Sequence, residues 1–503
     1  MTARISPGLD GAPDQVDLVV VGLGVTGAGV ALDAASRGLS VLAVDAHDLA
    51  FGTSRWSSKL VHGGLRYLAS LQLGIAHESA VERGILMERT APHLTRPLPW
   101  LLPLMGSVSR RQSLLAWAGF RAGDVLRMAA GTSRQTLPGP RRVSRTEALR
   151  IAPALRRDGL RGGIVSWDGQ LEDDARLVTC LARTAAAHGA DVRTRARVLA
   201  ATGTSVTVRD ERTGETRTVV TRAVVSAAGV WSGQLVEEIR LRPSRGTHVV
   251  LRAETIPGLT SALTAPVPGS TNRYVLVLPQ PGGDTIYVGL TDEAAEGEIP
   301  DVPQPTEGEI GFLLDVVAAV LERPLRRSDV VGAFAGLRPL IEAEGATADL
   351  SRKHAVLTSA SGVVTVVGGK LTTYRQMAED AVDATGLTDR PCRTRDLPLL
   401  GAASREALAL LEEPERLVRR FGTEARLVID DAVATTGLPE DELVAPGPGG
   451  ITLAELVFGV THEGAYDVDD LLDRRTRVGL VPDDRAAALP LAERALALAR
   501  APS

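Results

Sequence analysis

Residues 54–68 hold a dense set of groups that could carry out chemistry. Their sequence is Ser-Arg-Trp-Ser-Ser-Lys-Leu-Val-His-Gly-Gly-Leu-Arg-Tyr-Leu. Guanidinium and ammonium groups bind phosphate, and an imidazole titrates near neutral pH, so it can take up a proton there. The sequence therefore predicts phosphate binding and proton transfer in this segment.

A dinucleotide-binding fingerprint lies just upstream. Residues 18–21 form an apolar run typical of a strand, followed by Gly22-Leu23-Gly24-Val25-Thr26-Gly27 and a helical alanine pattern that stops at Gly38. A second apolar run, residues 41–44, ends in Asp45, about twenty positions beyond the glycines. This pattern predicts a βαβ unit that binds pyrophosphate at the helix N-terminus and ribose hydroxyls at Asp45.

Composition narrows the class of protein. A length of 503 residues predicts several domains, and a formal net charge of -5 gives no sign of nucleic-acid binding. The two cysteines, Cys180 and Cys392, exclude a disulfide framework and a four-cysteine zinc site, and no metal is expected. The N-terminal tail lacks the apolar core of a signal peptide, and no apolar run is long enough to span a membrane. We therefore expect a cytosolic protein.

A second motif carries one of the few lysines. Lysine occurs at positions 59, 353 and 370 alone, among 56 basic residues. Residues 363–367 read as a buried strand that runs into Gly-Gly-Lys-Leu-Thr-Thr-Tyr-Arg, where a helix begins. The motif fits either an anion site at a helix N-terminus or a plain strand–turn–helix connection with a surface lysine. A third cluster is Gly336-Leu337-Arg338-Pro339. Taken by itself, this cluster fits either an arginine that binds a ligand or a structural arginine in a salt bridge.

Together these segments resemble the FAD-dependent glycerol-3-phosphate dehydrogenases, the aerobic membrane-associated flavoenzymes that feed electrons to quinone. The resemblance covers nearly the whole chain. Its further motifs are Asp173-Asp174-Ala175-Arg176-Leu177, Ala228-Gly229-Val230-Trp231, Gly289-Leu290-Thr291-Asp292 and Arg474-Arg475-Thr476. Two departures are minor: Asp45 stands where the family often has Glu, and Leu290 stands where it often has a second Thr.

The resemblance implies oxidation of sn-glycerol 3-phosphate to dihydroxyacetone phosphate, with hydride transfer to N5 of FAD and electrons passed to a membrane quinone. His62 is the candidate base for the C2 hydroxyl proton; a role in orienting the flavin is the alternative. Arg338 and Lys370 complete the catalytic set and hold the substrate phosphate. The substrate-binding residues are Arg66, Tyr67, Arg338, Lys370, Arg352 and Thr291.

Most of the residues expected at FAD lie in these motifs. They are Gly22, Gly24, Val25, Thr26, Gly27, Asp45, Ala46, Thr53, Ser54, Ser57, Ser58, Lys59, Leu60, His62, Gly63, Gly64, Val198, Ala228, Gly229, Trp231, Gly336, Arg338, Gly369, Lys370, Leu371 and Thr372.

The expected fold is α/β, with a discontinuous Rossmann-like FAD-binding domain, a strand-rich substrate domain and a C-terminal helical domain. The predicted bounds are 14–95, 165–235 and 330–388 for the first, 236–329 for the second and 391–503 for the third. Residues 96–164 are expected to form a membrane-facing insertion. Within it, residues 97–137 mix Trp and Leu with Arg, which suits a helix lying on anionic lipid as well as a buried helical hairpin. The resemblance favours peripheral attachment to the inner face of the cytoplasmic membrane, and a homodimer is compatible with it.

Three rival functions remain open from the sequence. A glycerol-3-phosphate oxidase would share every site but pass its electrons to oxygen. An amino-acid oxidase of similar fold would need to recognise a carboxylate and an amine, which suits the predicted cations less well than a phosphate does. A non-catalytic nucleotide-binding scaffold would carry no flavin and show no turnover.

Overall fold

The computed structural model describes residues 4–64, 72–106, 108–270, 273–342 and 353–501. The predicted site residues Arg66, Tyr67 and Arg352 lie outside these ranges. The strands are β1 (Ser6–Pro7), β2 (Gln15–Val21), β3 (Val41–Val44), β4 (Leu60–Val61), β5 (Thr95–Pro103), β6 (Arg141–Val143), β7 (Gly163–Leu171), β8 (Asp191–Thr194), β9 (Ala196–Ala201), β10 (Ser205–Asp210), β11 (Thr216–Ser226), β12 (Ser244–Arg252), β13 (Ala262–Pro266), β14 (Tyr274–Pro279), β15 (Thr285–Gly289), β16 (Glu293–Ala294), β17 (Val330–Arg338), β18 (Ala355–Thr358) and β19 (Val364–Val367).

The helices are α1 (Val25–Ser36), α2 (Leu73–Ile85), α3 (Arg110–Ala129), α4 (Arg145–Ile151), α5 (Asp174–Ala187), α6 (Ser232–Leu235), α7 (Glu307–Ala318), α8 (Tyr374–Thr385), α9 (Arg405–Leu408), α10 (Glu415–Phe421), α11 (Ala425–Thr436), α12 (Glu440–Val444), α13 (Leu453–Thr461) and α14 (Pro482–Arg500). There are also two π-helical turns. Leu86–Thr90 directly follows α2, and Asp470–Arg475 lies between α13 and α14.

The first sheet has a parallel core in the order β8-β3-β2-β11-β19. Its central strands are continuous apolar runs because both faces are buried, and α1 packs with α5 and α8 over one face. Beyond β11, the strands β10 and β9 form an antiparallel meander. The predicted Rossmann-like α/β architecture is therefore confirmed.

The second sheet is largely antiparallel, in the order β16-β12-β15-β14-β13-β5-β7-β4, with β17 beside β12 and β6 beside β7. Helix α7 covers its apolar face. The predicted domain bounds need correction here. Strands β7 and β17 had been assigned to the flavin domain, but they pair with β5 and β12 and so belong to this sheet.

The expected insertion at residues 96–164 divides into two parts. Strand β5 lies between β13 and β7, and its Leu98, Leu101 and Leu102 are buried, so the expectation that they face lipid is wrong. Helix α3 is instead exposed along much of its length. The alternative of a buried helical hairpin is therefore wrong as well.

Residues from α9 onward form a helical domain with its own core, as predicted. Leu417, Val428, Leu456 and Phe458 are buried at its centre, and the Thr452 hydroxyl caps α13 by accepting from the Glu455 N–H at 3.2 Å. Buried ion pairs, including Arg183 with Glu424, join this domain to α5. Across the described ranges, no helix combines the length and apolar character needed to cross a membrane.

Candidate active site

The parallel strands of the first sheet end side by side, because Val21 pairs with Val44 on one side and Ser226 on the other. Open α/β sheets bind ligands in the crevice outside these carboxyl ends. The glycine fingerprint, Asp45, the Ala228 turn and the second lysine motif all follow strands that end at this edge. The sheet thus brings together motifs that are far apart in the sequence.

The turn before α1 fits a pyrophosphate. A Cβ on Gly27 would lie 1.7 Å from the Gly22 carbonyl oxygen, and Gly22 has a φ of +95°, so both positions require glycine. Gly24 begins the helix with no side-chain cap, and a Cβ on it would lie 3.0 Å from Ser54 Oγ. Ser54 Oγ accepts a hydrogen bond from the Val25 N–H at 2.9 Å. The backbone at the N-terminus of α1, where Thr26 lies in the first turn, is therefore close to the predicted position of the pyrophosphate.

Asp45 lies at the end of β3, followed by Ala46. Its carboxylate accepts hydrogen bonds from the N–H groups of Leu23 at 2.7 Å and His47 at 2.9 Å. Burial raises the pKa of Asp45 to about 6, against the lowering effect of these bonds. A ribose hydroxyl that donates to the carboxylate would offset this loss of hydration.

Two further predicted cofactor segments adjoin the fingerprint. The Ala196 N–H donates to the Asp45 carbonyl at 2.7 Å, which brings the start of β9, and with it Val198, to the same edge. The Ala228–Gly229 turn follows β11, and a Cβ on Gly22 would lie 3.1 Å from the Ala228 Cα atom. Trp231 packs against Gly52, where a Cβ would lie 2.8 Å from its ring.

Residues 53–59, the serine segment, are held by buried charges. The Lys59 ammonium donates to Asp174 Oδ2 at 2.7 Å and to the Arg55 carbonyl at 2.9 Å, and Lys59 is 2% exposed. Burial lowers the pKa of Lys59 to about 8, although the Asp174 charge opposes this. The ammonium is therefore not available to a cofactor phosphate, so the predicted FAD contact of Lys59 is restricted to its backbone. Asp174 also accepts from both the N–H and the hydroxyl of Ser57.

His248 on β12 is a site residue that the sequence analysis missed. Its Nε2 atom lies 2.8 Å from Ser58 Oγ, and its ring stacks on Phe334 with a centroid distance of 4.8 Å. Burial and the nearby Lys59 lower the pKa of His248 to about 3, so its ring is neutral. Across the sheet, Gly289 leaves room for the ring, since a Cβ there would lie 2.2 Å from it. Only a lone histidine in a strand pattern marks this position in the sequence.

His62 follows Leu60 and Val61 of β4 and has a partly exposed ring. Its Nδ1 atom lies 3.4 Å from Asp168 Oδ2, and Arg83 Nη1 lies 2.6 Å from Asp168 Oδ1. The Gly63 N–H, next to Gly64, also donates to Asp168. Burial opposes ionisation of Asp168, yet the Arg83 charge and the His62 hydrogen bond outweigh it and lower the Asp168 pKa to about 2. The sequence analysis missed Asp168 and Arg83, which no motif marked.

The second lysine motif meets His62 directly. The His62 N–H donates to Thr372 Oγ1 at 3.1 Å. Gly368 and Gly369 take successive φ values of +76° and +71°, which turn the chain from β19 towards the short helical turn Leu371–Thr373. The Lys370 ammonium donates to Ser79 Oγ on α2.

Arg338 is the last residue of β17, a strand of the second sheet. Its Nη1 donates to Ser244 Oγ at 3.2 Å and lies 3.4 Å from Asp292 Oδ1. The strand is tied to the serine segment, because Thr53 Oγ1 donates to the Leu337 carbonyl at 2.6 Å and a Cβ on Gly336 would lie 2.5 Å from Trp56 Cβ. Arg338 thus lies beside the serine segment, which is proposed to bind the flavin.

The predicted substrate contact of Thr291 is not supported. Its hydroxyl donates to Glu309 at 2.9 Å and accepts from the Thr247 N–H at 3.0 Å, and the residue is 1% exposed. Its carbonyl instead accepts from Arg338 Nη2 at 3.4 Å. The hydroxyl of Thr291 thus already has two partners, and its contact with Arg338 is made by the backbone.

Family comparison matches the two parts of the chain separately. Residues 17–375 match the family described as FAD dependent oxidoreductase. Residues 392–500 match the C-terminal domain of alpha-glycerophosphate oxidase.

Curated proteins and a solved structure match nearly the whole chain. Glycerol-3-phosphate dehydrogenase 1 of Mycobacterium tuberculosis is 54% identical over 98% of this chain and 97% of its own length. The mitochondrial glycerol-3-phosphate dehydrogenase of Arabidopsis thaliana is 34% identical over 95% of this chain and 81% of its own. The structure of the glycerol-3-phosphate dehydrogenase from Bacillus halodurans complexed with FAD superposes with a TM-score of 0.73 at 28% identity, covering 97% of this chain and 92% of that one.

Proposed function

The chain belongs to the family of FAD-dependent glycerol-3-phosphate dehydrogenases, and we propose that it oxidises sn-glycerol 3-phosphate to dihydroxyacetone phosphate and delivers the electrons to a membrane quinone. The observation that supports this most is the position of His62. Its ring faces a carboxylate, and its backbone bonds to the second lysine motif. FAD, when bound, supplies the hydride acceptor for the C2 hydrogen.

The neighbours of His62 suit a general base. Asp168 is ionised at neutral pH and can only accept hydrogen bonds, so the Nδ1 atom of His62 carries the proton that lies between them. The Nε2 atom then has a free lone pair to accept the C2 hydroxyl proton of the substrate. Once His62 is protonated, the negative charge of Asp168 stabilises the imidazolium.

Two described cations are proposed to bind the substrate phosphate. Arg338 offers a planar fork and Lys370 a compact charge, a combination that suits a phosphate dianion. Ser244 and the Thr291 carbonyl fix the Arg338 guanidinium, and Ser79 fixes the Lys370 ammonium. Arg66, Tyr67 and Arg352 are proposed for the same site from the sequence resemblance.

Helix α3 is the proposed membrane-surface element. It exposes Leu114, Leu115, Val125 and Met128, by 49–73% of their side-chain surface, and Arg110, Arg111 and Arg121 are exposed as well. Such a surface suits peripheral binding to anionic lipid on the inner face of the cytoplasmic membrane. Helix α3 packs on α2, whose other contacts include the Leu371–Thr373 turn, so the proposed membrane contact lies one helix away from the site.

Anaerobic spectroscopy of the purified yellow protein tests this proposal. Addition of sn-glycerol 3-phosphate should bleach the flavin absorbance, and a soluble quinone analogue should restore it faster than air does. Bleaching followed by rapid reoxidation and peroxide release in air would instead support the oxidase. Bleaching by an amino acid but not by glycerol 3-phosphate would contradict the proposed substrate.

A further inference from the structure

Arg477 of the C-terminal helical domain contacts the serine segment. Arg477 Nη2 donates to the Arg55 carbonyl at 2.6 Å, and its guanidinium lies over the Trp56 ring, 5.0 Å from the centroid. Arg477 Nη1 donates to the Asp473 carbonyl within its own domain at 2.5 Å. One side chain therefore joins the two domains at this point.

The Arg55 carbonyl is shared by two buried cations. It accepts from Lys59 as well as from Arg477, and the Lys59 ammonium also pairs with Asp174. Arg477 Nε lies 4.0 Å from Asp174 Oδ1. Asp174 also accepts hydrogen bonds from the N–H and the hydroxyl of Ser57. The positive charge of Arg477 therefore lies close to the carboxylate that holds Ser57.

The neighbouring arginines attach the same domain to the loop after β3. Arg474 Nε lies 2.7 Å from Asp48 Oδ2, and Arg475 Nη2 lies 2.8 Å from Asp48 Oδ1, with all three side chains buried. Asp48 follows Asp45, the proposed ribose acceptor, by three residues. The motif at residues 474–477 therefore contacts both the loop after β3 and the serine segment.

The backbone of Arg477 is in a costly conformation. Its φ of +64° lies in the left-handed region, where residues other than glycine are uncommon. Glycine would adopt this conformation without strain. The chain nevertheless has arginine here, with 8% of the residue exposed, so the side chain contributes something that glycine cannot.

We propose that Arg477 is a positioning residue through which the C-terminal helical domain holds the serine segment in its FAD-binding conformation. The inference rests on the proposed contact of Ser57 and Ser58 with FAD. The C-terminal helical domain thereby has a role in binding the cofactor, although the Arg477 side chain itself is not placed at the flavin.

The test uses the full chain and its affinity for FAD. Arg477→Gly removes the side chain while relieving the backbone, so a loss of affinity cannot come from added strain. We expect the dissociation constant of FAD from the apoprotein, measured by quenching of flavin fluorescence, to rise about tenfold or more, as the loss of a charged hydrogen bond implies. Arg477→Lys keeps the charge without the fork and should raise it at least about threefold.

Arg183→Ala is the matched control. It removes another buried arginine between the two domains, paired with Glu424 and remote from the serine segment in its contacts. The control should lower the melting temperature but leave the FAD dissociation constant within about twofold of the wild type. Equal losses of FAD affinity in the Arg477 and Arg183 variants would overturn the proposal, since general destabilisation would then account for both.

Two further outcomes are decisive. If Arg477→Gly does not accumulate as folded protein, Arg477→Lys decides the question, and wild-type FAD affinity in that variant would overturn the proposal. Because the readout is FAD binding rather than turnover, it is independent of the substrate. A wild-type protein that binds FAD but does not oxidise glycerol 3-phosphate would contradict the proposed function and leave the Arg477 result standing.

Discussion

The His62 N–H donates a hydrogen bond to Thr372 Oγ1 across a sequence separation of 310 residues. The two glycine-flanked motifs are thereby parts of one site. A shift of the Leu371–Thr373 turn would move the His62 backbone, and with it the geometry between its ring and Asp168. The proposed base and the proposed phosphate-binding lysine therefore depend on the same local structure.

Asp168→Asn should slow the chemical step. A neutral amide no longer stabilises the imidazolium that forms when His62 takes up the proton, so we expect kcat to fall by roughly ten- to a thousand-fold, within the range for general-base catalysis. Stopped-flow flavin reduction without oxygen measures the change. Asp315→Asn, at an exposed position on α7, is the control and should behave as wild type.

Arg338→Ala should discriminate between phosphorylated and unphosphorylated substrates. Loss of a charged hydrogen bond should lower kcat/KM for glycerol 3-phosphate by roughly ten- to several-hundred-fold. The weak reaction with glycerol should fall far less, because glycerol has no phosphate to bind. Arg338→Lys should restore part of the loss. Equal proportional losses on both substrates would show that Arg338 serves the flavin or the fold.

Gly24→Val should release the flavin. The branched side chain would enter the space next to Ser54 Oγ, where a Cβ alone would already lie 3.0 Å away, and would block the pyrophosphate. The ratio of absorbance at 450 nm to that at 280 nm in purified protein measures flavin content. Gly311→Val on α7, where a Cβ meets nothing within 4 Å, is the control. A folded, fully flavinated Gly24 variant would contradict the pyrophosphate assignment.

FAD affinity should rise with pH around the pKa of Asp45. Burial raises this pKa to about 6 in the protein. Ribose hydroxyls that donate to the carboxylate favour its ionised form, so binding FAD should lower the pKa and release a proton. Affinity should therefore be weaker at pH 5 than at pH 7 and should level off above pH 7. In Asp45→Asn this slope should vanish, and a slope like that of the wild type would rule out Asp45 as its source.

Reversing the charge of Arg110, Arg111 and Arg121 to Glu should release the protein from anionic vesicles. Each basic residue near an anionic surface contributes about 1 kcal/mol, so three reversals should have a large effect. Arg127 is left unchanged because it is buried and pairs with Asp124. Co-sedimentation with phosphatidylserine vesicles gives the measurement, and activity with a soluble dye should survive.

The control for membrane binding reverses three exposed arginines elsewhere, at Arg323, Arg327 and Arg494. Both triple variants change the net charge equally. Equal loss of vesicle binding in the two would indicate an effect of overall charge, and would contradict the role of α3.

The nucleotide-binding half of the site was predictable because its signals are local. Gly22, Gly27 and Asp45 belong to one βαβ unit, in which spacing along the chain fixes spacing in the structure. The second lysine motif was recognisable in the same way, as a strand that runs into a glycine turn.

The partners of the reacting groups were not predictable, because they come from distant strands and helices. The pairing of β4 with β7 brings Asp168 to His62, and Arg83 reaches the same carboxylate from α2. The side-chain partners of Lys59 and Thr291 were not predictable either. Their motifs look like ligand sites, but buried partners in other elements, Asp174 and Glu309, already satisfy their polar groups.

Because Lys59 is buried, only two of the three lysine side chains of this protein can be reached by a reagent that reacts with amines. The other two lysines are Lys353, which is exposed, and Lys370, which is half-buried. Acylating or glycating metabolites thus find few side-chain amines, because arginine serves as the cation almost everywhere else. One of these few amines, Lys370, lies at the proposed phosphate site, so a reagent that modified it would remove a cation that the substrate needs.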